Sequence, residues 1–199
     1  MKVKVKICGI RSLEVAKTAI DAGADFIGLN FVPDSKRKID IATGKTITRY
    51  AKDKIATVGV FQDAPVILVN KLAKELRLDY VQLHGKEDVM YMRQITIPII
   101  KRVGTTTAME KYKKIPIDFF LLDRTQRGRG PLVNLVVAKK ISESFPIFFA
   151  GGLTPENVAL AIQKVKPFAV DVAGGIETDG KEDKEKIKRF ITNAKEVTI

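Results

Sequence analysis

Eight short apolar runs, separated by segments with helical spacing, constrain the fold of this chain more than any other feature. Most runs are continuously apolar rather than alternating, which is typical of parallel strands covered on both faces. Strands that alternate with helices throughout 199 residues, without a linker, predict an α/β fold: a single (β/α)8 TIM barrel domain over residues 1–199. The runs are residues 3–8, 25–31, 56–61, 80–84, 97–103, 118–123, 146–150 and 169–173.

The segments between the runs carry helix signals. Residues 13–22 have apolar side chains at helical spacing, with Ser12 as the expected N-cap and Gly23 as the stop. Another helix is expected to open with Thr154 at its cap and Pro155 in its first turn. The main alternative fold is an open doubly wound sheet, but no Gly-x-Gly-x-x-Gly motif follows the first run.

The composition excludes several kinds of chemistry. The single cysteine, Cys8, allows neither an internal disulfide nor a cysteine-based zinc site, and the single histidine, His84, excludes a histidine-rich metal centre. No apolar stretch approaches the roughly 20 residues that span a membrane, and the N-terminus lacks the apolar core of a signal peptide. We therefore expect a cytoplasmic protein with no metal site and no membrane partner.

The net charge of +12 raises the question of an anionic partner. The lysines are spread along the chain, no compact basic block is interleaved with aromatic residues, and Trp is absent. We therefore expect most of the charge to coat solvated helix faces, and we expect no nucleic-acid partner. A non-enzymatic basic protein that binds nucleic acid is the alternative, and it predicts salt-sensitive binding to any duplex.

Two glycine pairs follow the last two runs, where barrels of this kind often bind phosphate. They are Gly151-Gly152 and Gly174-Gly175. Glycine lets the backbone approach an anion closely, and backbone N–H groups then bind the anion. Either pair alone could be an ordinary turn, but both at the expected strand ends favour a phosphate site.

Three side chains at the same end of the predicted barrel are candidates for chemistry. Cys8 ends the first run, and a thiol with an ordinary pKa of about 8.5 can act as a base after modest tuning. Asp123 ends the sixth run and can act as a general acid where burial favours its protonated form. Asp171 interrupts the eighth run among small residues, and a structural ion pair is the alternative for it.

Two basic segments follow other runs. Residues 35–37 come after the second run, and Arg37 can present its guanidinium to a substrate carboxylate; a solvated charge cluster is the alternative. Residues 124–130 hold Arg124, Arg127 and Arg129 around two glycines after the sixth run, a pattern that predicts a mobile lid.

Motifs along most of the chain resemble the phosphoribosylanthranilate isomerase family. QLHG and VGVF are modest signals alone, but the ordered set is specific and extends from Lys6 to Glu177. The motifs are KICGI (6–10), SKR (35–37), VGVF (58–61), QLHG (82–85), LLD (121–123), GGLTPENV (151–158), PFAVDV (167–172) and GIE (175–177).

The resemblance implies a reaction and a role for each candidate. The reaction is the Amadori rearrangement of N-(5-phosphoribosyl)anthranilate in tryptophan biosynthesis, an aldose–ketose isomerisation by general acid/base catalysis that needs no cofactor. Cys8 would be the general base, Asp123 the general acid, and Arg37 would hold the anthranilate carboxylate. The glycine pairs would hold the ribose phosphate. The full set of expected substrate-binding residues is Arg37, Gln82, His84, Asp171, Gly151, Gly152, Gly174 and Gly175. The expected partner is this phosphosugar, bound by a monomer or a homodimer.

Two segments depart from the family pattern. After strand six the family usually carries Phe-Asp-Trp, where this chain has Val133-Asn134-Leu135, and after strand eight a serine usually precedes glycine, where this chain has Ala173. These changes leave Cys8 and Asp123 in place but affect the lid and the phosphate loop. Another phosphosugar isomerase or epimerase on the same barrel is an alternative, and a barrel kept only for binding is a further one.

Overall fold

The structure is a computed structural model that describes residues 2–104, 112, 117–123 and 134–198. Eight parallel strands, each paired with the next along the chain and the last with the first, close into a barrel. This architecture confirms the predicted (β/α)8 barrel. The strands are β1 (Lys4–Cys8), β2 (Phe26–Asn30), β3 (Ala56–Phe61), β4 (Tyr80–Leu83), β5 (Ile99–Val103), β6 (Phe119–Leu122), β7 (Ile147–Phe149) and β8 (Ala169–Val172).

Seven α-helices surround the barrel in the described part of the chain. Their buried apolar faces pack on the outward side chains of the strands, so that helices and sheet share one core. The first helix starts as predicted, because the Ser12 hydroxyl accepts a hydrogen bond from the backbone N–H of Val15 at 3.2 Å. The helices are α1 (Leu13–Asp21), α2 (Ile41–Ala51), α3 (Val66–Leu76), α4 (Val89–Met92), α5 (Leu135–Ser142), α6 (Val158–Val165) and α7 (Lys184–Lys195).

The prediction that Thr154 caps the helix after β7 is wrong. Helix α6 begins at Val158 with Asn157 at the N-cap position, and Pro155 lies in a turn that precedes the helix. The Asn157 side chain explains the turn, because Oδ1 accepts from the backbone N–H of Thr154 at 2.8 Å and Nδ2 donates to the carbonyl of Gly152 at 3.0 Å. Side-chain hydrogen bonds of this kind compete with helix formation.

Aromatic rings fill the N-terminal end of the barrel. Phe26, Tyr80 and Phe119 begin the even strands β2, β4 and β6, and alternate strands of such a barrel supply each interior layer. Phe148 and Phe168 complete a cluster whose contacting ring centroids lie 4.6 to 6.5 Å apart. We call these five residues the aromatic plug, and it closes the end of the barrel opposite the strand C-termini.

The interior changes character toward the strand C-termini. Lys6, Gln82 and Asp171 are almost fully buried, and Cys8 lies two residues beyond Lys6 on the same face of β1. We call these four residues the polar layer. Their position places any chemistry at the C-terminal mouth, as is usual for this fold.

A small hairpin between β8 and α7 was not predicted. A 3₁₀ helix, Gly174–Ile176, leads into β9 (Glu177–Thr178) and β10 (Lys181–Glu182), which pair antiparallel. Asp179 and Gly180 form the turn with positive φ angles of 50° and 73°, the turn chemistry that an Asp-Gly pair favours. The hairpin brings two glutamates to the mouth of the barrel.

None of the helices in residues 2–104, 117–123 and 134–198 is long and apolar enough to cross a membrane.

Candidate active site

Cys8 ends β1 at the mouth and shares its surroundings with a buried ion pair. The Nζ atom of Lys6 lies 2.9 Å from Oδ1 of Asp171, and the Lys6 side chain is 0% exposed. The Lys6 ammonium also lies near the Cys8 thiol, because both groups border Gly28. A methyl group at Gly28 would lie 2.7 Å from Sγ of Cys8 and 3.2 Å from Nζ of Lys6, so only glycine leaves room for both groups.

The charges around Cys8 act in opposite directions. Burial of its side chain raises the pKa of the thiol above the ordinary value, although the residue keeps some exposure at the mouth. The Lys6 ammonium and, more weakly, the Arg37 guanidinium lower this pKa, whereas the Asp171 carboxylate raises it. Burial lowers the pKa of Lys6, but the Asp171 carboxylate and, next to it, Cys8 together outweigh burial, so the pKa of Lys6 lies above its usual value and the amine stays charged.

A second group of side chains lies on strands β4 and β6. The Nε2 atom of Gln82 lies 3.4 Å from Nδ1 of His84, and Nε2 of His84 lies 3.6 Å from Oδ2 of Asp123. If Gln82 donates to Nδ1, the His84 proton is on Nε2 and faces the Asp123 carboxylate. The Oε1 atom of Gln82 is buried without a hydrogen-bond partner in the described part of the chain.

A buried ion pair outside the barrel holds the turn after His84. Nζ of Lys101 lies 2.6 Å from Oε2 of Glu87 and 2.8 Å from the carbonyl oxygen of Gly85, and both charged side chains are 1% exposed. The other carboxylate oxygen of Glu87 accepts from the backbone N–H of Asp63 at 2.8 Å. This network fixes the loops after β3 and β4 relative to each other.

The Arg37 side chain lies over Gly9, at the start of the loop that follows β1. Its Nε and Nη2 atoms donate to the two carboxylate oxygens of Glu177 at 2.6 and 2.8 Å. Gly9 has a φ of 84°, and a side chain there would collide with the Arg37 side chain. A methyl group at Gly174 would lie 3.4 Å from Nη2 of Arg37, so the guanidinium also borders the loop after β8.

The hairpin makes a second contact of the same kind. Arg11 Nε lies 2.9 Å from Oε2 of Glu182, and the backbone N–H of Arg11 donates to Oε1 of Glu182 at 3.0 Å. The two hairpin strands therefore tie the loops that follow β1 and β2 to the loop that follows β8.

The glycine pairs form adjoining turns at the mouth. Gly151 and Gly152 both have a φ of 92°, a region that favours glycine. A side chain at Gly175 would collide with the carbonyl group of Leu153, so the loops after β7 and β8 approach each other closely there. Gly174 lies beside Arg37 instead, so the loop after β8 connects the two anion-binding candidates.

The structure thus arranges the expected site residues in two groups at one mouth. Cys8, Asp171, Arg37 and Gly174 lie on the β1, β2 and β8 side, and Gln82, His84 and Asp123 lie on the β4 and β6 side. The predicted lid, residues 124–130, and Val133 lie outside the described residues.

Several residues that shape the site were not identified as site residues from the sequence. Lys6 had a readable signal, since it lies two residues before Cys8 in a strand and must share its face. Gly28 and the Lys101–Glu87 pair had none, because their roles depend on contacts between separate strands and loops.

Among the described residues, no group of three or more His, Cys, Asp or Glu side chains is placed to hold a metal ion.

Comparison with known proteins identifies the family. A family model described as N-(5′-phosphoribosyl)anthranilate isomerase matches residues 5–193. An N-(5′-phosphoribosyl)anthranilate isomerase from Oceanobacillus iheyensis is 40% identical over 195 residues, which cover 95% of each chain. The chain belongs to the phosphoribosylanthranilate isomerase family.

Solved structures agree with this family assignment. The crystal structure of the phosphoribosylanthranilate isomerase from Thermotoga maritima is 38% identical, covers 98% of this chain and 100% of its own, and has a TM-score of 0.89. A further crystal structure of a phosphoribosylanthranilate isomerase, 37% identical with the same coverage and a TM-score of 0.86, contains reduced 1-(o-carboxyphenylamino)-1-deoxyribulose 5-phosphate. The family resemblance inferred from the sequence motifs is therefore confirmed.

Proposed function

We propose that this chain converts N-(5-phosphoribosyl)anthranilate to 1-(2-carboxyphenylamino)-1-deoxyribulose 5-phosphate in tryptophan biosynthesis, with Cys8 as general base and Asp123 as general acid. Membership of the isomerase family supports the reaction. The observation that supports the residue roles is that Cys8 ends β1 and Asp123 directly follows β6, so both groups lie at the same mouth of the barrel.

Asp123 performs the first proton transfer. It protonates the furanose ring oxygen, the ring carbon–oxygen bond breaks, and an open-chain Schiff base of the anthranilate nitrogen forms. The His84 side chain, 3.6 Å away, orients the carboxyl group toward the mouth. His84 is itself oriented by Gln82 on one side and by the clamped turn at Gly85 on the other.

Cys8 performs the second proton transfer. Its thiolate removes the proton from sugar carbon two, and the electron pair of that bond moves toward the protonated imine to give an enolamine. The enolamine then tautomerises to the aminoketose. The two steps need opposite kinds of group, and the two sides of the mouth provide one of each.

Arg37 binds the anthranilate carboxylate. Glu177 engages only two of the five N–H groups of the guanidinium, and it fixes the plane of the fork. The other N–H groups can form a paired contact with a carboxylate, the geometry that arginine favours. Because Cys8 lies near Arg37 and removes the proton from sugar carbon two, this carbon lies on the same side of the mouth as the anthranilate carboxylate.

Gly151, Gly152, Gly174 and Gly175 bind the ribose phosphate through backbone N–H groups. The two turns lie next to each other, and their glycines leave no side chains between the backbone and the anion. Gln82 and Asp171 complete the site: the buried Oε1 of Gln82 accepts a hydrogen bond from a substrate hydroxyl, and Asp171 contacts the sugar through its side facing the mouth. The ion pair with Lys6 uses Oδ1 of Asp171, which leaves Oδ2 for the contact with the sugar.

This activity needs no metal and no nucleic-acid partner, and we place it in the cytoplasm, in one domain that acts as a monomer or a homodimer.

The direct test is turnover of freshly generated N-(5-phosphoribosyl)anthranilate by the purified chain, followed as loss of substrate fluorescence with EDTA present. We expect rapid turnover and an aminoketose product. A folded sample that gives only the spontaneous rate would reject the function, and turnover that stops with EDTA would reject the metal-free mechanism.

A further inference from the structure

We propose that Lys6 is a positioning residue for the proton-transfer step: its ammonium group, fixed by Asp171, stabilises the thiolate form of Cys8, which accepts the proton, against the opposing effect of burial. This inference rests on the proposed role of Cys8 as the base. It assigns a task to a buried cation that the two proton transfers themselves do not use.

The geometry directs the Lys6 ammonium at the sulfur. Lys6 and Cys8 are two residues apart in β1 and share the inward face of the barrel. Both Nζ of Lys6 and Sγ of Cys8 lie over the bare backbone of Gly28, where any side chain would displace them. The ammonium therefore has two neighbours that can carry a negative charge, the Asp171 carboxylate and the Cys8 sulfur.

A lysine without any exposure needs such neighbours. A buried ammonium is strongly destabilised unless it is paired, and the 2.9 Å contact to Asp171 supplies the pairing. The hydrogen bond to Asp171 uses one of the three N–H groups of the ammonium, and the charge of the group also acts on the neighbouring sulfur. Asp171 thus keeps Lys6 charged, and Lys6 passes the effect of its charge to Cys8.

The balance of charges favours the thiolate. Two cations, Lys6 and Arg37, and one carboxylate, Asp171, act on Cys8 in the described part of the chain, and Lys6 has the largest effect of the three. Lys6 keeps its proton throughout the reaction. The proton leaves sugar carbon two for the sulfur, so the thiolate becomes a thiol while the ammonium is unchanged.

The single cysteine of the chain makes the test specific. Iodoacetamide reacts with the thiolate, whose sulfur displaces iodide, so the pH at which alkylation reaches half of its maximal rate reports the pKa of Cys8. The variant is Lys6→Met, which keeps the length of the side chain and removes its charge. The matched control is Lys4→Met. Lys4 also lies on β1 and is also paired with an aspartate, Asp25, but it lies at the opposite end of the barrel.

We expect Lys6→Met to move the alkylation midpoint upward by about 1 pH unit or more, since an opposite charge at contact distance shifts a pKa by about that amount. Lys4→Met should leave the midpoint in place. The rising limb of the pH profile of kcat/KM should move with the alkylation midpoint, because it reports the same group in the free enzyme. Lys6→Arg should restore part of the shift.

Lys6→Met leaves Asp171 unpaired and can unfold the protein, so the double variant Lys6→Met/Asp171→Asn provides a second test. It replaces the pair by two neutral groups of similar shape, an exchange that barrel interiors can tolerate. Because Lys6 acts on Cys8 more strongly than Asp171 does, the midpoint should still rise.

An unchanged alkylation midpoint in the folded single or double variant would overturn the proposal. A kcat/KM that falls equally at every pH, without movement of the alkylation midpoint, would also overturn it. Alkylation does not depend on turnover. A wild-type chain with no isomerase activity but with a Lys6-dependent midpoint would therefore reject the proposed function and keep the electrostatic role of Lys6.

Discussion

The two ends of the barrel interior are built from the same strands but from different chemistry. The aromatic plug at the N-terminal end consists of rings packed edge-on and stacked, whereas the polar layer toward the mouth contains an ammonium, a carboxylate, an amide and a thiol. On β1 the change occurs within one strand, from the Lys4–Asp25 pair at the rim to Lys6 and Cys8 inside. A barrel of this kind separates stability from reactivity along its axis.

This separation matters because buried polar groups carry a penalty that apolar packing does not. Each charge in the polar layer depends on a partner, and a variant that removes one partner leaves the other exposed to a low-dielectric interior. We therefore expect that the plug can lose a ring without loss of the reaction, and that the polar layer can lose the proposed base without loss of the fold. Four variants test this division, in decreasing order of expected effect.

Asp123→Asn should have the largest effect on catalysis. It removes the proposed acid and keeps the shape of the side chain, so kcat/KM should fall by about 10²–10⁴-fold while the unfolding temperature changes little. Asp53→Asn is the control. Asp53 is an exposed aspartate with a left-handed backbone conformation, which asparagine can also adopt. A turnover close to wild type in Asp123→Asn would remove Asp123 from the mechanism.

Phe148→Ala should have the converse effect. The ring is fully buried and contacts Phe26, Phe119 and Phe168, so its loss should reduce the free energy of unfolding by about 3–5 kcal/mol. Urea unfolding measures the stability, and kcat/KM per folded molecule should stay near the wild-type value. A folded Phe148→Ala protein that is stable but inactive would break the proposed division.

Asp25→Asn should weaken the N-terminal rim in a pH-dependent way. Burial tends to raise the pKa of Asp25, but hydrogen bonds from Lys195, Lys4 and the backbone N–H of Val5 outweigh it, so the pKa is lowered. A carboxyl group whose pKa is lower in the folded than in the unfolded protein stabilises the fold at pH values above the unfolded-state pKa. This stabilisation is lost as the pH falls through the folded-state pKa. The variant should be about 1–3 kcal/mol less stable at pH 7, with a smaller difference below about pH 4.

Urea unfolding of both proteins at neutral and acid pH measures this effect of Asp25→Asn. An equal difference at the two pH values would show that the carboxylate charge is not the cause.

Arg37→Lys should mainly weaken substrate binding. Lysine keeps the charge but cannot form the two-pronged contact with a carboxylate, so KM should rise by about tenfold with a smaller change in kcat. Arg49→Lys, on the exposed surface of α2, is the control. A loss confined to kcat would place Arg37 in the proton-transfer step rather than at the carboxylate.

The fold could be predicted because its signals are local. Buried parallel strands read as apolar runs, and β3 has the predicted bounds of residues 56–61. Other strands start or end one or two residues inside the runs. Asp25 and Asp118 illustrate the reason: each precedes its strand and accepts a backbone N–H from the neighbouring one, at 2.8 and 2.9 Å, so it caps the sheet rather than extending it.

The environment of the site could not be predicted in the same way. The contact between Lys6 and Asp171 joins positions 165 residues apart, and that between Arg37 and Glu177 joins positions 140 apart. A sequence pattern places each partner at a strand end but does not pair them. The alternative of a structural ion pair for Asp171 describes the contact that forms, whereas its contact with substrate stays a prediction.

Single-turnover kinetics of Cys8→Ala provide the decisive test of whether Cys8 and Asp123 divide the proton transfers of this family's reaction between two sides of one mouth. Excess enzyme is mixed with N-(5-phosphoribosyl)anthranilate, and the fluorescence decay is compared with that of wild type at equal folded concentration. We predict a decay slower by about 10²–10⁴-fold, with unchanged stability. A decay at the wild-type rate would contradict the account, because the base that removes the carbon-two proton would then have to be another group.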